Sequence, residues 1–285
     1  MFDWIGVVSL NIISYAILLI ITAIGLSFIF GLLDVINVAC GAFVALGAYL
    51  GYTIAGVTGY WPTLFIVPMI GMVLGLLIGQ TIIRPIIGWP THSVLLTFGL
   101  ALVFIEVIKI YWGLLGLPFS PPGELSMTIK IGDFSYPSYR IFLIAIGAFI
   151  TLGLWYFLEK TSVGMVVRAG LENREMVMAL GINITKVQVY IFAVGLATAS
   201  LGGLLSAPIL GVQYEMAWEF MLTSFVVVVL GGVGHLLGTV VSSLIISAVM
   251  NTVAIAAPPM AKVAAFILMF IALVLLPKGI LRKGR

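Results

Sequence analysis

Few side chains in this 285-residue sequence could do chemistry, and their spacing narrows what that chemistry is. Glu106 and Lys109 stand three apart in an apolar run, so on a helix they share a face and can neutralise each other. Such a pair either pins helix packing, snorkels to an interface, or meets a charged solute. His92, His235 and the lone Cys40 lie far apart in sequence, which suggests neither an internal disulfide nor a metal cluster. No paired acids and no Ser/His constellation stand at suitable spacing, so no catalytic or metal-binding residue is assigned and an intramembrane enzyme ranks last. An ion- or proton-coupled carrier is the chemical alternative, with Glu106, Lys109 or His235 as its coupling group.

The elements that must position these groups are helices in lipid. With 62% of residues hydrophobic and only 8% charged, the chain cannot surround a core with polar surface. Its apolar runs approach the roughly 20 residues that a helix needs to cross a bilayer. These runs are continuous, whereas a membrane barrel alternates in pieces of about 10 residues. The expected fold is therefore all-α: a single polytopic helical membrane domain over residues 1–285, with about 8–9 transmembrane helices, some of them broken. Candidate spans fall at 9–30, 38–54, 62–83, 93–115, 140–158, 187–210, 217–231, 237–257 and 261–276. The first apolar run is longer than a signal-peptide core and carries no small-residue cleavage site, so it is read as a span. The link Gly31–Asn37 is short and apolar, and the first two spans are either separate or a broken, re-entrant pair.

Charge gives an orientation. If the island 159–186 and the C-terminal tail are cytoplasmic, nine of the 13 basic residues lie on that side: Arg84, Lys160, Arg168, Arg174, Lys186, Lys278, Arg282, Lys283 and Arg285. Lys130, Arg140 and Lys262 lie opposite. The positive-inside rule then places the N-terminus outside and the C-terminus inside a cell (inner) membrane. The basic excess faces anionic lipid and needs no nucleic-acid partner.

Within the spans, Gly71, Gly75 and Gly79 in the third, and Gly195, Ala199 and Gly203 in the sixth, repeat at four-residue spacing. Small residues so placed let helix backbones approach in lipid. Asn37, Thr97, Glu106, Thr223, Ser224 and Asn251 are costly to expose to lipid and should turn inward, where they could line a polar path. The Ser and Thr among them can equally bond their own helix backbone.

The island EKTSVGMVVRAGLENREMVMALGINITK, residues 159–186, reads as a docking surface between two apolar spans. Gly170 punctuates it, Asn173 can cap a short helix and Gly181 can end one, giving about two turns over 174–180. Met176, Val177 and Leu180 would form an apolar stripe toward membrane or partner, with Arg174 and Glu175 in water. A helix this short needs packing to persist. On the other side, residues 116–140 form an extracytoplasmic loop stiffened by Pro118, Pro121, Pro122 and Pro137.

The segment RAGLENREMVMALGIN resembles the cytoplasmic coupling loop of permease subunits in ABC importers, specifically the high-affinity branched-chain amino acid permease family. Three further stretches resemble that family in the right order: Gly25–Gly51 (GLSFIFGLLDVINVACGAFVALGAYLG), Phe192–Val212 (FAVGLATASLGGLLSAPILGV) and Leu230–Ile246 (LGGVGHLLGTVVSSLII). The basic ending PKGILRKGR is also similar. The resemblance implies a non-enzymatic subunit carrying branched-chain or related small amino acids. Its implied partners are a second permease, two cytoplasmic ATPases and an extracytoplasmic solute-binding protein. A heterodimer is favoured and a homodimer is compatible. ATP and Mg would sit on the ATPases, consistent with the absence here of any G-x-x-x-x-G-K-[ST] loop. By the same resemblance, Arg168, Glu172, Arg174, Glu175, Met176, Ala179 and Gly181 couple to the ATPase. Glu215 and Glu219, with the loop 116–140, are expected to receive the binding protein. Cys40, Ala42, His235 and Leu237 depart from the family's usual residues. Members of the wider superfamily carry urea, short amides, nucleosides or sugars, so these departures leave other solutes open.

Overall fold

The structure is a computed structural model and describes residues 2–33, 37–131, 134–275 and 280. The junction of the first two spans, at 34–36, and the basic tail apart from Ile280 lie outside the described residues.

Every expected span is a helix. They are α1 (Phe2–Leu33), α2 (Ala39–Thr58), α3 (Tyr60–Ile78), α4 (Pro90–Trp112), α5 (Ser138–Lys160), then α6 (Ser162–Glu172) and α7 (Arg174–Ala179) in the island, followed by α8 (Ile184–Leu210), α9 (Met216–Gly231), α10 (Leu236–Ala256) and α11 (Ala261–Leu275). Among the described residues, eight of the nine spans are long and apolar enough to cross a membrane, the last of them counted from Pro258 to Leu275 with the short turn ahead of α11. The exception is α9, whose 16 residues span about 24 Å at 1.5 Å per residue, short of a hydrocarbon core of about 30 Å.

The turn after α9 begins buried at Gly232 and reaches the surface at His235, and the backbone on both sides of it finds internal partners. Gly234 N donates to Ser27 Oγ at 3.1 Å, Ile280 N donates to Leu230 O at 2.9 Å, and Ser242 Oγ donates to Val227 O at 2.8 Å. At the opposite end a single residue, Gly59, separates α2 from α3. Its φ of +83° belongs to the left-handed region that only glycine adopts cheaply, so the two helices fold back at once.

The expected small-residue faces meet on α8, the hub of the bundle. A Cβ on Gly75 of α3 would stand 2.7 Å from Ala193 Cα, and one on Gly71 2.5 Å from Ser200 Oγ. On its other sides, Gly195 of α8 faces Gly25 and Ile29 of α1, and Gly203 lies against the Val44 carbonyl of α2. In lipid no hydrophobic gradient drives helix association, so this close approach supplies the van der Waals contact that does. The outer helices are inside out relative to a soluble protein. On α3 the buried positions Thr63, Val67, Gly71 and Gly75 form one stripe, while Phe65, Met69 and Leu77 are exposed. The central helix α1 is buried over 89% of its apolar window, against 17% for α5.

Two sequence readings need correction. Gly170 does not break the island: it lies inside α6, packed on Leu32 and Ile184. The loop 116–140 is more than a proline-stiffened coil, because β1 (Thr128–Ile131) pairs antiparallel with β2 (Phe134–Pro137). Leu117 forms a two-way backbone bridge with Val212, which ties this loop to the end of α8.

Candidate docking surface and polar path

The α6–α7 unit is built from caps. Thr161 Oγ1 accepts from Gly164 N at 3.1 Å, Asn173 Oδ1 from Met176 N at 2.9 Å, and Asn183 Oδ1 from Lys186 N at 3.2 Å. These oxygens satisfy first-turn N–H groups at the starts of α6, α7 and α8. Gly181, at φ +79°, ends the segment, and nothing lies within 4 Å of the place where its Cβ would be. The Asn173 cap and the Gly181 stop are where the sequence put them. The helix α6 was missed, although Thr161 ahead of the apolar positions 163, 166, 167 and 171 is a start signal for it.

The expected apolar stripe splits. Val177 turns inward and is buried, whereas Met176, Met178, Ala179 and Leu180 are exposed. The expected charged residues also divide. Glu172 and Glu175 stand in the open with Ala179 and Gly181. Arg168 is engaged internally, 2.8 Å from Glu159 and donating to Leu158 O at the end of α5. Arg174 turns toward α8 and meets Gln188 at 3.5 Å.

The candidate path residues do not converge on one channel. Asn37 and Thr97 come together: both are fully buried, and Val38 N donates to Thr97 Oγ1 at 3.3 Å while Asn37 Oδ1 accepts from Ala39 N at 3.1 Å. Among the described residues, Asn37 Nδ2 finds no partner. Ser224 is buried elsewhere, donating to Thr22 Oγ1 at 3.1 Å. Thr223 and Asn251 bond their own helices at Glu219 O and Ser247 O. Glu106 holds Lys109 at 2.7 Å on the half-exposed face of α4.

Glu215 and Glu219 lie at the hairpin end of the bundle but in different surroundings. Glu219 pairs with Lys262 of α11. Glu215 hydrogen-bonds Tyr214, and that bond and charge hold the Tyr214 phenol above its ordinary pKa. The Lys109 ammonium stands 4.9 Å from the Tyr214 ring centroid. Beside this cluster an open recess of about 710 Å³ is lined by Tyr52, Tyr60, Trp112, Phe119 and Ser120, with Trp112 Nε1 donating to Thr53 Oγ1 at 2.8 Å. The sequence reading missed this recess because its rings come from four separate segments.

A family model described as the permease component of the branched-chain amino acid transport system matches residues 8–273. The chain belongs to this family. It is a multi-pass membrane permease. Among its relatives, the probable branched-chain amino acid transport permease protein LivH of Methanocaldococcus jannaschii is 26% identical, covering 82% of this chain and 76% of that one. The ribose import permease protein RbsC of Haemophilus influenzae is 24% identical, covering 85% and 76%. Among solved structures, PsaBC from Streptococcus pneumoniae in complex with Fab superposes with a TM-score of 0.52 at 14% identity, covering 94% of this chain and 91% of that one. That likeness is one of fold alone. The two named relatives move different solutes, so membership fixes a transport permease and leaves its cargo open.

Proposed function

We propose that this permease is the membrane subunit of an ATP-driven importer, that α6–α7 faces the cytoplasm and docks an ATPase, and that the solute is a branched-chain or similar small amino acid. The observation that carries the docking role is the exposed row Met176, Ala179 and Leu180, at i, i+3 and i+4, on a helix whose own fold side, Val177, is already buried. An apolar row on a six-residue helix flanked by Glu172 and Glu175 suits a protein groove better than water. Nucleotide-driven closure of two ATPases would displace α7 and bias the bundle between two packings. The hairpin end, with Glu215, Glu219 and the loop 116–140, would then receive a solute-binding protein. The second permease chain would be a related subunit rather than a copy.

Purification of the tagged permease from its native membrane, as wild type and Gly181→Arg, tests this reading. An arginine at φ +79° strains the end of α7 without touching the span packing. An ATPase that accompanies wild type and is lost with the variant supports docking at α7. Intact permease without ATPase in either sample, with uptake that collapses with the ion gradient, points instead to a secondary carrier.

A sugar solute is the second reading, favoured by the aromatic recess, since flat rings stack on sugar faces as readily as on aliphatic groups. Uptake of labelled leucine against labelled ribose in cells with and without this permease separates the two.

A further inference from the structure

At the hairpin end, α2 and α4 each carry a polar group and an aromatic wall on neighbouring turns. On α4, Glu106, Lys109 and Trp112 stand three apart in succession, so they follow one another along one side of the helix. On α2, Tyr49 stands three and four residues before Tyr52 and Thr53. Trp112 joins the two helices: its ring lies 5.3 Å from that of Tyr49, its Nε1 donates to Thr53 Oγ1, and it lines the recess of about 710 Å³ together with Tyr52, Tyr60 and Phe119. The recess and the cluster of Glu106, Lys109, Tyr214 and Glu215 therefore share the walls α2 and α4, and form an apolar end and a charged end of one place.

The charged end has charge left over. The Glu106 side chain is 59% exposed, although it lies six residues, about 9 Å, inside the end of α4. A carboxylate at that depth faces water or protein rather than lipid. Lys109 gives Glu106 one of its three N–H donors and stands over the Tyr214 ring. Glu219, the next acid along α9, is taken by Lys262. Glu215 forms no ion pair among the described residues, so two carboxylates around one ammonium leave a negative charge unmatched. Close enough to feel the Glu215 charge, the Tyr49 hydroxyl is buried and finds no partner among the described residues. A buried hydroxyl seldom goes unpaired, and one that does so beside a charge cluster points to a group which the cluster receives.

We propose that this place is a solute subsite for a zwitterion with an aliphatic side chain: Lys109 takes the carboxylate over the Tyr49 hydroxyl, Glu215 takes the ammonium, and the side chain lies against the rings of Tyr52, Trp112 and Phe119. The proposal rests on the reading of the permease as an amino-acid importer and gives that solute its first site, within the surface that would receive the binding protein. Small-molecule sites combine an apolar wall with a few placed polar groups in this way, and aliphatic chains pack on ring faces. A sugar would use the rings and leave charges of both signs without a counterpart. A free amino acid matches the rings, the ammonium and the open carboxylate at once.

The test uses the complete transporter in proteoliposomes, with leucine and ribose as solutes. Lys109→Met keeps the stem beside Tyr214 and removes the ammonium. The expected result is leucine uptake lower by about tenfold, with melting temperature, bound ATPase and association with the binding protein as in wild type. The double variant Glu106→Gln/Lys109→Met separates this from a packing role. Removing both charges relieves a pair that only pins helices, so recovered uptake overturns the proposal, whereas uptake as low as in the single variant supports it. Unchanged leucine uptake in Lys109→Met overturns the subsite and leaves the importer reading standing. Ribose uptake without leucine uptake by the wild type removes the amino-acid reading and the subsite with it. Should the variants fail to fold, Ser120→Cys in a Cys40→Ala background decides the matter, since Ser120 is exposed and lines the recess. Leucine, and not ribose, should slow its labelling by a water-soluble maleimide several-fold, and an unchanged rate overturns the proposal.

Discussion

The seam around α8 and the α6–α7 unit are held together by opposite means. Along the seam, backbones touch: Gly25, Gly71, Gly75, Gly195 and Gly203 remove side chains so that helices α1, α2 and α3 close on α8 from three sides. In the α6–α7 unit, side-chain oxygens of Thr161 and Asn173 hold short helices by their first turns, Asn183 does the same for the start of α8, and the buried amide of Gln188 on α8 bonds both α1 and Arg174 of α7. Contact distributed over a seam resists any single displacement, because every residue added must move a whole helix. The α6–α7 unit also packs on the bundle, but at fewer points: Gly170 meets Leu32 and Ile184, and Val177 is buried. If α7 is the docking helix proposed above, the difference predicts that the seam stays rigid while the unit is the part that is pushed.

The sharpest way to break that contrast is Gly203→Leu. The first carbon of its side chain would overlap the Val44 carbonyl, and no rotamer relieves a backbone clash, so a cost on the order of 3 kcal/mol or more is expected. Fluorescence-detected size exclusion should show little or no monodisperse protein, whereas wild-type yield would mean that the seam can open. Next comes Tyr139→Phe at the hairpin end. Tyr139 donates its only proton to Leu205 O at 2.9 Å, so the contact of 2.8 Å with Tyr60 must be donated by Tyr60. Losing the hydroxyl removes both bonds and leaves the buried Tyr60 hydroxyl without its Tyr139 acceptor, which should destabilise by about 1–3 kcal/mol, read as a lower melting temperature in detergent. Smaller again is Asn173→Ala, expected to cost about 1 kcal/mol and confined to α7. Amide exchange there should accelerate and ATPase retention fall several-fold, with the melting temperature of the spans unchanged. A global loss of stability would show that α7 is part of the rigid body after all.

How much of this was legible in the sequence follows the same division. Gly71, Gly75 and Gly79 announced a packing face because four-residue spacing maps directly onto one side of a helix, and the structure places that side on α8. Asn173 and Gly181 announced the ends of α7 because capping is local. What failed was longer in range. Gly170 looks like a break when read along the chain, yet it is the absence of a Cβ against Leu32, 138 positions earlier, that explains it. Gln188 carried no signal at all, since its partners lie in α1 and α7. The polar residues Asn37, Ser224 and Asn251 were correctly sensed as costly in lipid, but hydropathy cannot say that they sit in three different places. The 128–137 hairpin was hidden because only four residues pair on each side.

The smallest effect separates stability from recognition at the hairpin end. Glu219 and Lys262 are both about half exposed, and an ion pair in that position contributes about 0–1 kcal/mol at most. Glu219→Gln should therefore leave the melting temperature within error. If Glu219 instead meets a basic patch on a solute-binding protein, the same change slows association by a few-fold at low salt and much less at high salt, because rim charges act on encounter more than on the bound state. Surface plasmon resonance at two ionic strengths measures this directly. Unaltered association at both strengths would assign Glu219 to its Lys262 pair alone and move the receiving surface one turn back, toward Glu215 beside Tyr214.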